Sequence, residues 1–283
     1  MSAERRGGAP VPPRVVSLVP SLTEAVARTV PGALVGATDW CARPAGLDVV
    51  RIGGTKNPDI RRVLSLAPDL VVANEEENRP ADLDALRAAG TEVLVTEVRT
   101  VAAAFTELDR TLRACGASAR PRWLDEAERA WSALPPPKRP GSPESAGSPG
   151  SAGSPEDTEQ QSGDGAVAQR YQVTAVVPVW RRPWMVLGRD TFAGDVLARL
   201  GVANLYAGHA ERYPRVRPEE LRAARPDLVV LPDEPYRFTA DDGPEVFPGL
   251  PCALVSGRHL TWYGPSLAEA PRVLGAALRA ARR

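Results

Sequence analysis

The hydrophobic positions of the first half fall into short continuous runs that alternate with segments of helical spacing. The four runs lie at 14–19, 33–37, 69–73 and 91–96. Continuous rather than alternating apolar residues are typical of parallel strands that are covered on both faces. Helices are predicted at 58–66 and 82–89, the second ending at Gly90, where glycine accommodates a left-handed backbone. The pattern predicts a parallel α/β lobe.

Three further patterns predict helices in this half. Ser21 and Glu24 have the Ser-x-x-Glu spacing of a capping box, which predicts a helix whose end amides are satisfied by these two side chains. Apolar residues at helical spacing between Val101 and Leu112 predict an amphipathic helix. A last helix, within 117–134, carries two tryptophans and is predicted to connect this half to the next.

The second half repeats the first. Residues 68–72 and 226–230 share the sequence Pro-Asp-Leu-Val-Val, each after a short helical segment. Further elements of this half are predicted as strands at 171–177 and 253–256 and as helices at 192–200, after Pro218 and from about Ser266, with Pro271 in an awkward position inside the last. The two halves therefore predict two similar α/β lobes.

Composition supplies the boundaries. Residues 135–169 are Pro, Gly, Ser and acidic residues with too little apolar surface to offset the entropy of ordering, so a disordered insert is predicted there. The resulting division is a disordered N-terminus at 1–13, a first lobe at 14–116, a connecting helix at 117–134, the insert, and a second lobe at 170–283.

Charge and cysteine content exclude several classes of function. Lys+Arg and Asp+Glu both number 35, so no net positive field is available to bind nucleic acid. The three cysteines lack metal or dithiol spacing. No run approaches a membrane span, and no apolar leader follows the first arginines, so the chain as written is expected in the cytoplasm; a start codon assigned too late would make it extracytoplasmic.

The absence of common catalytic motifs argues against several classes of enzyme. The sequence has no Gly-rich phosphate loop, no HExxH and no GxSxG. Its two histidines, His209 and His259, both lie in the second half, whereas a directly bound metal ion would need three or four ligands converging from both lobes. We therefore expect no catalytic residue, metal ligand or cofactor.

Aromatic residues indicate where a ligand could bind. Trp40, Trp180, Trp184 and Trp262, the last followed by Tyr263, fall in predicted loops rather than at periodic core positions. Loops beyond the ends of parallel strands are where open α/β sheets bind ligands. Each of these side chains could instead simply fill its own loop.

Acidic residues follow the two equivalent strands. Glu76 and Glu77 come after the first Pro-Asp-Leu-Val-Val run, and Asp233 and Glu234 after the second. They could be solvated loop tips. Alternatively, matched carboxylates on duplicated lobes could receive arginines from a two-fold partner.

Taken together, these segments resemble the helical-backbone (class III) solute-binding proteins of ABC importers, of the cobalamin- and iron-siderophore-binding type. The resemblance rests on 14–24, 35–41, 53–58, both Pro-Asp-Leu-Val-Val runs, 188–204, 212–214 and 248–251. It implies two Rossmann-like lobes with parallel sheets, joined by a single long helix, with a ligand cleft between them and little domain closure.

The resemblance also implies a site and a partner. By position, the ligand-binding residues would be Ser21, Leu22, Trp40, Thr55, Lys56, Asn74, Trp180, Trp184, Arg212, Tyr213, Trp262 and Tyr263. The carboxylates Glu76 or Glu77 and Asp233 or Glu234 would dock an ABC permease dimer. The expected protein is a monomeric, non-enzymatic receptor for a metal chelate, with a corrinoid first and a ferric siderophore or haem second. An enzyme such as a tetrapyrrole chelatase, or an intracellular adaptor, would be the alternative use of the same two lobes.

Overall fold

A computed structural model describes residues 12–134 and 173–282. The first lobe contains strands and helices in alternation. Its strands are β1 Val15–Ser17, β2 Leu34–Ala37, β3 Val50–Arg51, β4 Gly53–Gly54, β5 Asn57–Pro58, β6 Leu70–Asn74 and β7 Glu92–Thr96. Its helices are α1 Pro20–Thr29, α2 Ile60–Ser65, α3 Pro80–Ala88, α4 Val101–Ala114 and α5 Arg122–Ser132.

The second lobe follows the same plan with an added hairpin. Its strands are β8 Val173–Val176, β9 Pro178–Arg181, β10 Trp184–Val186, β11 Val202–Asn204, β12 Leu228–Pro232 and β13 Cys252–Val255. Its α-helices are α6 Phe192–Arg199, α7 Pro218–Ala223, α8 Gly257–Thr261 and α9 Ala270–Ala280, with 3-10 turns at Pro244–Val246 and Pro265–Ala268.

The strand orders confirm the predicted fold class. The first lobe has a five-stranded sheet in the order β3-β2-β1-β6-β7 and the second a four-stranded sheet in the order β11-β8-β12-β13, both entirely parallel. In each sheet the first strand is central and the chain then crosses to its other side, as in a mononucleotide-binding half of a Rossmann fold. Strands β4–β5 and β9–β10 form separate antiparallel hairpins.

The repeated Pro-Asp-Leu-Val-Val segment has a structural explanation. Asp69 accepts a hydrogen bond from the backbone N–H of Arg14 at 2.7 Å, and Asp227 accepts one from the backbone N–H of Thr174 at 2.7 Å. Each aspartate thus holds the start of one parallel strand to the start of its neighbour. Hydrogen bonds from Thr174 also lower the pKa of Asp227.

Both faces of each sheet are buried, as the continuous apolar runs predict. In β1, Val15 packs on one face and Val16 on the other, each with no exposed surface. The cluster that contains Val15 continues through helices α1, α4 and α5 into the second lobe, where it includes Val230 of β12 and Leu274 of α9. One hydrophobic core is therefore shared by the two lobes.

Two expectations about helix ends are wrong. Helix α1 begins at Pro20, with Val19 as its N-cap, so Ser21 lies inside the first turn and cannot cap the helix. Glu24 instead contacts Arg258 of the second lobe. Pro271 causes no difficulty, because α9 begins at Ala270 and a proline in the first turn has no helical hydrogen bond to lose.

Helix α5 lies inside 117–134, the range predicted to connect the lobes; its connecting role stays a prediction. Its apolar face is buried, and the Trp131 indole N–H donates to the Leu267 carbonyl of the second lobe at 2.9 Å. The predicted insert at 135–169, the residues on either side of the 169/170 boundary, and residues 1–11 of the predicted disordered N-terminus lie outside the described residues. The lobe boundaries themselves stay predictions.

Candidate functional site

A cavity of about 440 Å³ opens between the two lobes. It lies beyond the carboxyl ends of β6 and β12, the position at which open parallel sheets bind ligands. The lining residues of the first lobe are Pro20, Ser21, Asn74, Glu76, Glu77 and Val98, and those of the second are Val179, Trp180, Met185, Leu187, Phe192, Ala193, Tyr213, Glu234, Pro235, Thr261, Trp262 and Tyr263. The first lobe thus supplies a largely polar wall, and the second a largely apolar and aromatic one.

The polar wall is built on a turn after β6 that two asparagines hold in place. Asn74 is buried; its side-chain amide donates to the Thr96 carbonyl at 2.9 Å, and its Oδ1 accepts from the backbone N–H of Glu76 at 2.9 Å. Asn78 Oδ1 accepts from the Asn74 N–H at 2.9 Å. Asparagine side chains that bond to nearby backbone amides fix such turns. Here they direct Glu76 and Glu77 toward the cavity.

The aromatic wall comes from the β9–β10 hairpin and from the end of α8. Trp180 lies in β9 and Trp184 in β10, so the expectation that both are loop residues is wrong. The alternation of the hairpin separates them: Trp180 lines the cavity, whereas Trp184 points into the outer core of the second lobe, 5.9 Å from Phe238 between ring centroids. Trp262 is the C-cap of α8 and also lines the cavity.

Two side chains of the second lobe cross the cleft to Glu76. Arg212 Nη1 lies 2.5 Å from Glu76 Oε1 and 3.1 Å from Glu75 Oε1, and the Tyr213 hydroxyl donates to Glu76 Oε2 at 3.0 Å. The segment that carries Arg212 is itself held at Gly188, whose N–H donates to the Arg212 carbonyl at 2.7 Å. Glu76 is therefore neutralised by an arginine of the opposite lobe.

The other carboxylates of the cleft have shifted pKa values. Burial raises the pKa of Glu77 to about 7, with Lys56 opposing and Glu76 adding to the rise. Burial also raises the pKa of Glu234, helped by Asp233 and opposed by a hydrogen bond from Trp262 and by Arg43 and Arg258. A carboxyl that loses water without gaining a cation favours its neutral form.

The phenols of the cleft stay protonated. Burial raises the pKa of Tyr213, with Glu76 adding to the rise, and it raises the pKa of Tyr263 far above its ordinary value, with Glu77 adding to it. The Tyr263 hydroxyl and Ser21 Oγ are buried beside each other, and neither has a hydrogen-bond partner of good geometry in residues 12–134 and 173–282. The side chains of Thr96 and Ser21 lie near the Tyr263 hydroxyl and oppose the rise in its pKa.

The structure brings six of the twelve predicted ligand-binding residues into the cavity wall. They are Ser21, Asn74, Trp180, Tyr213, Trp262 and Tyr263. Three of the four carboxylates predicted for permease docking, Glu76, Glu77 and Glu234, line it as well. Their predicted role in permease docking stays a prediction.

The remaining predicted residues do not line the cavity. Leu22 and Trp184 lie in the hydrophobic cores, and Trp40 is 70% exposed. The polar residues of the set make contacts within the protein. Arg212 forms an ion pair with Glu76, and the Lys56 ammonium donates to the Glu76 carbonyl. The Thr55 carbonyl accepts a hydrogen bond from Asn78, and Asp233 accepts one from the Gly257 N–H. Lys56 and Arg212 therefore stand behind the wall.

Sequence reasoning missed most of the apolar lining. Val179, Met185, Leu187 and Phe192 belong to the β9–β10 hairpin and the segment after it. The one available signal was the Arg181–Pro183 turn between two short apolar runs, which marks a hairpin.

Other chemical groupings are sparse in the described chain. Within residues 12–134 and 173–282, no group of three or more His, Cys, Asp or Glu side chains is arranged to hold a metal ion. His259 Nδ1 lies 2.8 Å from Ser256 Oγ and its Nε2 lies 3.1 Å from Glu269 Oε1. None of these three residues lines the cavity. No helix in the same ranges is both long and apolar enough to cross a membrane.

Comparison with solved structures gives the fold a precedent. The periplasmic vitamin B12 binding protein BtuF of Vibrio cholerae is 15% identical over 96% of this chain and 98% of its own, with a TM-score of 0.66. The periplasmic haem-binding protein RhuT of Roseiflexus sp. RS-1 is 20% identical over 96% and 99%, with a TM-score of 0.67. CeuE of Helicobacter pylori, with Ni(II) bound, is 12% identical over 94% and 83%, with a TM-score of 0.67.

At these identities the likeness establishes the fold. No protein-family model matches the sequence, and a search of curated proteins finds no match either. Residues 12–134 and 173–282 therefore have the two-lobed fold of these binding proteins.

Proposed function

We propose that this protein is a non-enzymatic receptor for a metal chelate, with a corrinoid as the first candidate and a ferric siderophore or haem as the second. The observation that carries the proposal is the interlobe cavity, whose aromatic wall and polar wall come from different lobes. A chelate with a flat apolar face and polar substituents at its edge matches two such walls.

The size of the cavity indicates how a ligand would sit. About 440 Å³ accommodates part of a macrocycle, and the remainder would extend through the open mouth. Trp180, which is 41% exposed, stands where the cavity meets solvent and could cover that part.

The names of the fold neighbours support a proposal about the compartment. Three of them are described as periplasmic binders of vitamin B12 or haem. They favour an extracytoplasmic location for this chain over the cytoplasmic expectation, and we propose delivery to an ABC permease dimer by a monomeric receptor.

Isothermal titration of the full chain tests the proposal with cobalamin, cobinamide, haem and a ferric hydroxamate. We expect saturable binding of at least one of them at one site per chain. Absence of binding across the whole panel would refute the receptor function.

A pair of variants ties binding to the cavity. Trp180→Ala removes an aromatic side chain of the wall and should weaken binding by at least about tenfold, since aromatic contacts dominate such sites. Leu254→Ala is the matched control, because Leu254 is similarly exposed, at 42%, but lies outside the cavity wall. Equal affinities of the two variants would place the ligand elsewhere.

A further inference from the structure

Once the pH exceeds the pKa of Glu77, about 7, the cavity wall carries negative charge without a matching cation. Three glutamates line it, and within the described ranges no Arg, Lys or His does. Glu76 is already paired with Arg212, so its charge is satisfied inside the protein. The two carboxylates that remain are Glu77 from the first lobe and Glu234 from the second.

These two carboxylates have incomplete partners in the part of the chain that the structure describes. Neither forms an ion pair there: Lys56 acts on Glu77, and Arg43 and Arg258 act on Glu234, only from behind the wall. Trp262 lies close enough to Glu234 to oppose the rise in the pKa of that carboxyl. Together they leave acceptor oxygens facing the cavity from both sides.

The rest of the polar lining is consistent with the same ligand chemistry. Ser21 and Tyr263 are 3% and 5% exposed, and their hydroxyls lack partners of good geometry within residues 12–134 and 173–282. A buried polar atom without a partner is costly unless a ligand supplies one. A hydroxyl can hydrogen-bond to a carboxamide as well as to a carboxylate, so these two hydroxyls do not require an anionic group on the ligand.

We propose that the cleft selects its ligand by charge: it accepts a chelate whose edge carries carboxamide or ammonium donors and rejects the same chelate bearing carboxylates. The inference rests on the proposed function, because it concerns the same cavity. Like charges brought together in a partly dehydrated site repel each other, whereas each amide N–H would satisfy a carboxylate oxygen.

Matched ligands isolate this effect. Cobinamide and cobyrinic acid share a corrin ring, but the first carries carboxamides and the second carboxylates; haem dimethyl ester and haem form the equivalent porphyrin pair. At pH 8 we expect the uncharged-edge member of a pair that binds to be favoured by at least about 30-fold, which corresponds to about 2 kcal/mol.

Two double variants assign the effect to the cavity. Glu77→Gln with Glu234→Gln should reduce the preference to less than about threefold, mainly by strengthening binding of the carboxylate ligand. Glu92→Gln with Glu126→Gln is the control: it removes the same two charges, but Glu92 opens β7 at the far end of the sheet and Glu126 lies on α5. Thermal unfolding of each variant verifies that it is folded.

The outcomes separate the inference from the proposed function. Equal affinity within a pair, or preference for the carboxylate member, would overturn charge selection and leave the receptor function standing. A preference that persists unchanged in Glu77→Gln with Glu234→Gln would also overturn it. If no member of either pair binds, the inference fails; the proposed function fails with it only if the ferric hydroxamate does not bind either.

Discussion

Removing the charge of Glu24 should loosen the attachment of the two lobes. Glu24 of α1 and Arg258 of α8 form a two-point contact, with Nη2 2.5 Å from Oε1 and Nε 3.2 Å from Oε2. Their side chains are 9% and 14% exposed, so Glu24→Gln would leave a buried guanidinium without its counter-charge. Breaking a buried pair in this way costs about 3–5 kcal/mol.

The structure places the expected loss at the lower end of that range. Glu269 Oε1 lies 3.8 Å from Arg258 Nη1 and would retain part of the pairing. We expect a loss of about 3 kcal/mol. At about 2–4 °C for each kcal/mol in a protein of this size, the melting temperature should fall by about 6–12 °C.

Urea unfolding followed by tryptophan fluorescence measures the free energy directly. Glu126→Gln, which removes the equivalent charge from the exposed Arg122–Glu126 pair, should cost no more than about 0.5 kcal/mol. Combining Glu24→Gln with Arg258→Met should cost at least about 1 kcal/mol less than the two single changes together. Strict additivity, or a Glu24→Gln protein as stable as the Glu126→Gln control, would refute the reasoning.

Three more changes test other contacts. The pKa of Glu77 is raised from 4.5 to about 7, so ionisation of Glu77 destabilises the folded state as the pH rises from about 4.5 to 7. The free energy of unfolding of Glu77→Gln, relative to that of the natural chain, should therefore increase between pH 5 and pH 8. A difference in urea unfolding that does not change with pH would contradict the raised pKa. Trp131→Phe leaves the Leu267 carbonyl without its donor and should cost about 1–3 kcal/mol in the same assay; no loss would mean that water replaces the indole. Gly188→Ala places a methyl group against the Glu211 carbonyl and should displace the segment that carries Arg212, so ligand affinity should fall by more than stability does. An unchanged affinity in the titration would show that this segment adapts.

The fold was largely predictable because its signals are local. The continuous apolar runs at 69–73 and 228–231 predict buried parallel strands, and both are present as β6 and β12. Helix boundaries were less predictable: the Ser21–Glu24 spacing predicts a cap, but Pro20 starts the helix earlier and Glu24 has a partner 234 residues away. A long-range ion pair leaves no local signal.

The candidate site was predictable only in part, for the same reason. Trp180 and Trp184 are the same residue type four positions apart, and the sequence does not distinguish them. Only Trp180 faces the cavity, because side chains of the β9–β10 hairpin point alternately to the cleft and to the outer core. The sequence predicts that the carboxylates after β6 and those after β12 occupy equivalent positions in the two lobes. The direction of Glu76 and Glu77 depends on the turn after β6. Asn74 and Asn78 hold that turn through contacts with Thr96 and Thr55, which are distant in sequence.

The hydrophobic core that runs without interruption from β1 into α9 limits how a ligand can leave. Halves that share one interior cannot swing apart without exposing it to water, so the cavity must load and empty through its mouth. A ligand would then bind to a preformed cavity, so little of its binding free energy would be offset by a conformational change. Fast release of a ligand would therefore depend on the width of that mouth rather than on separation of the two halves.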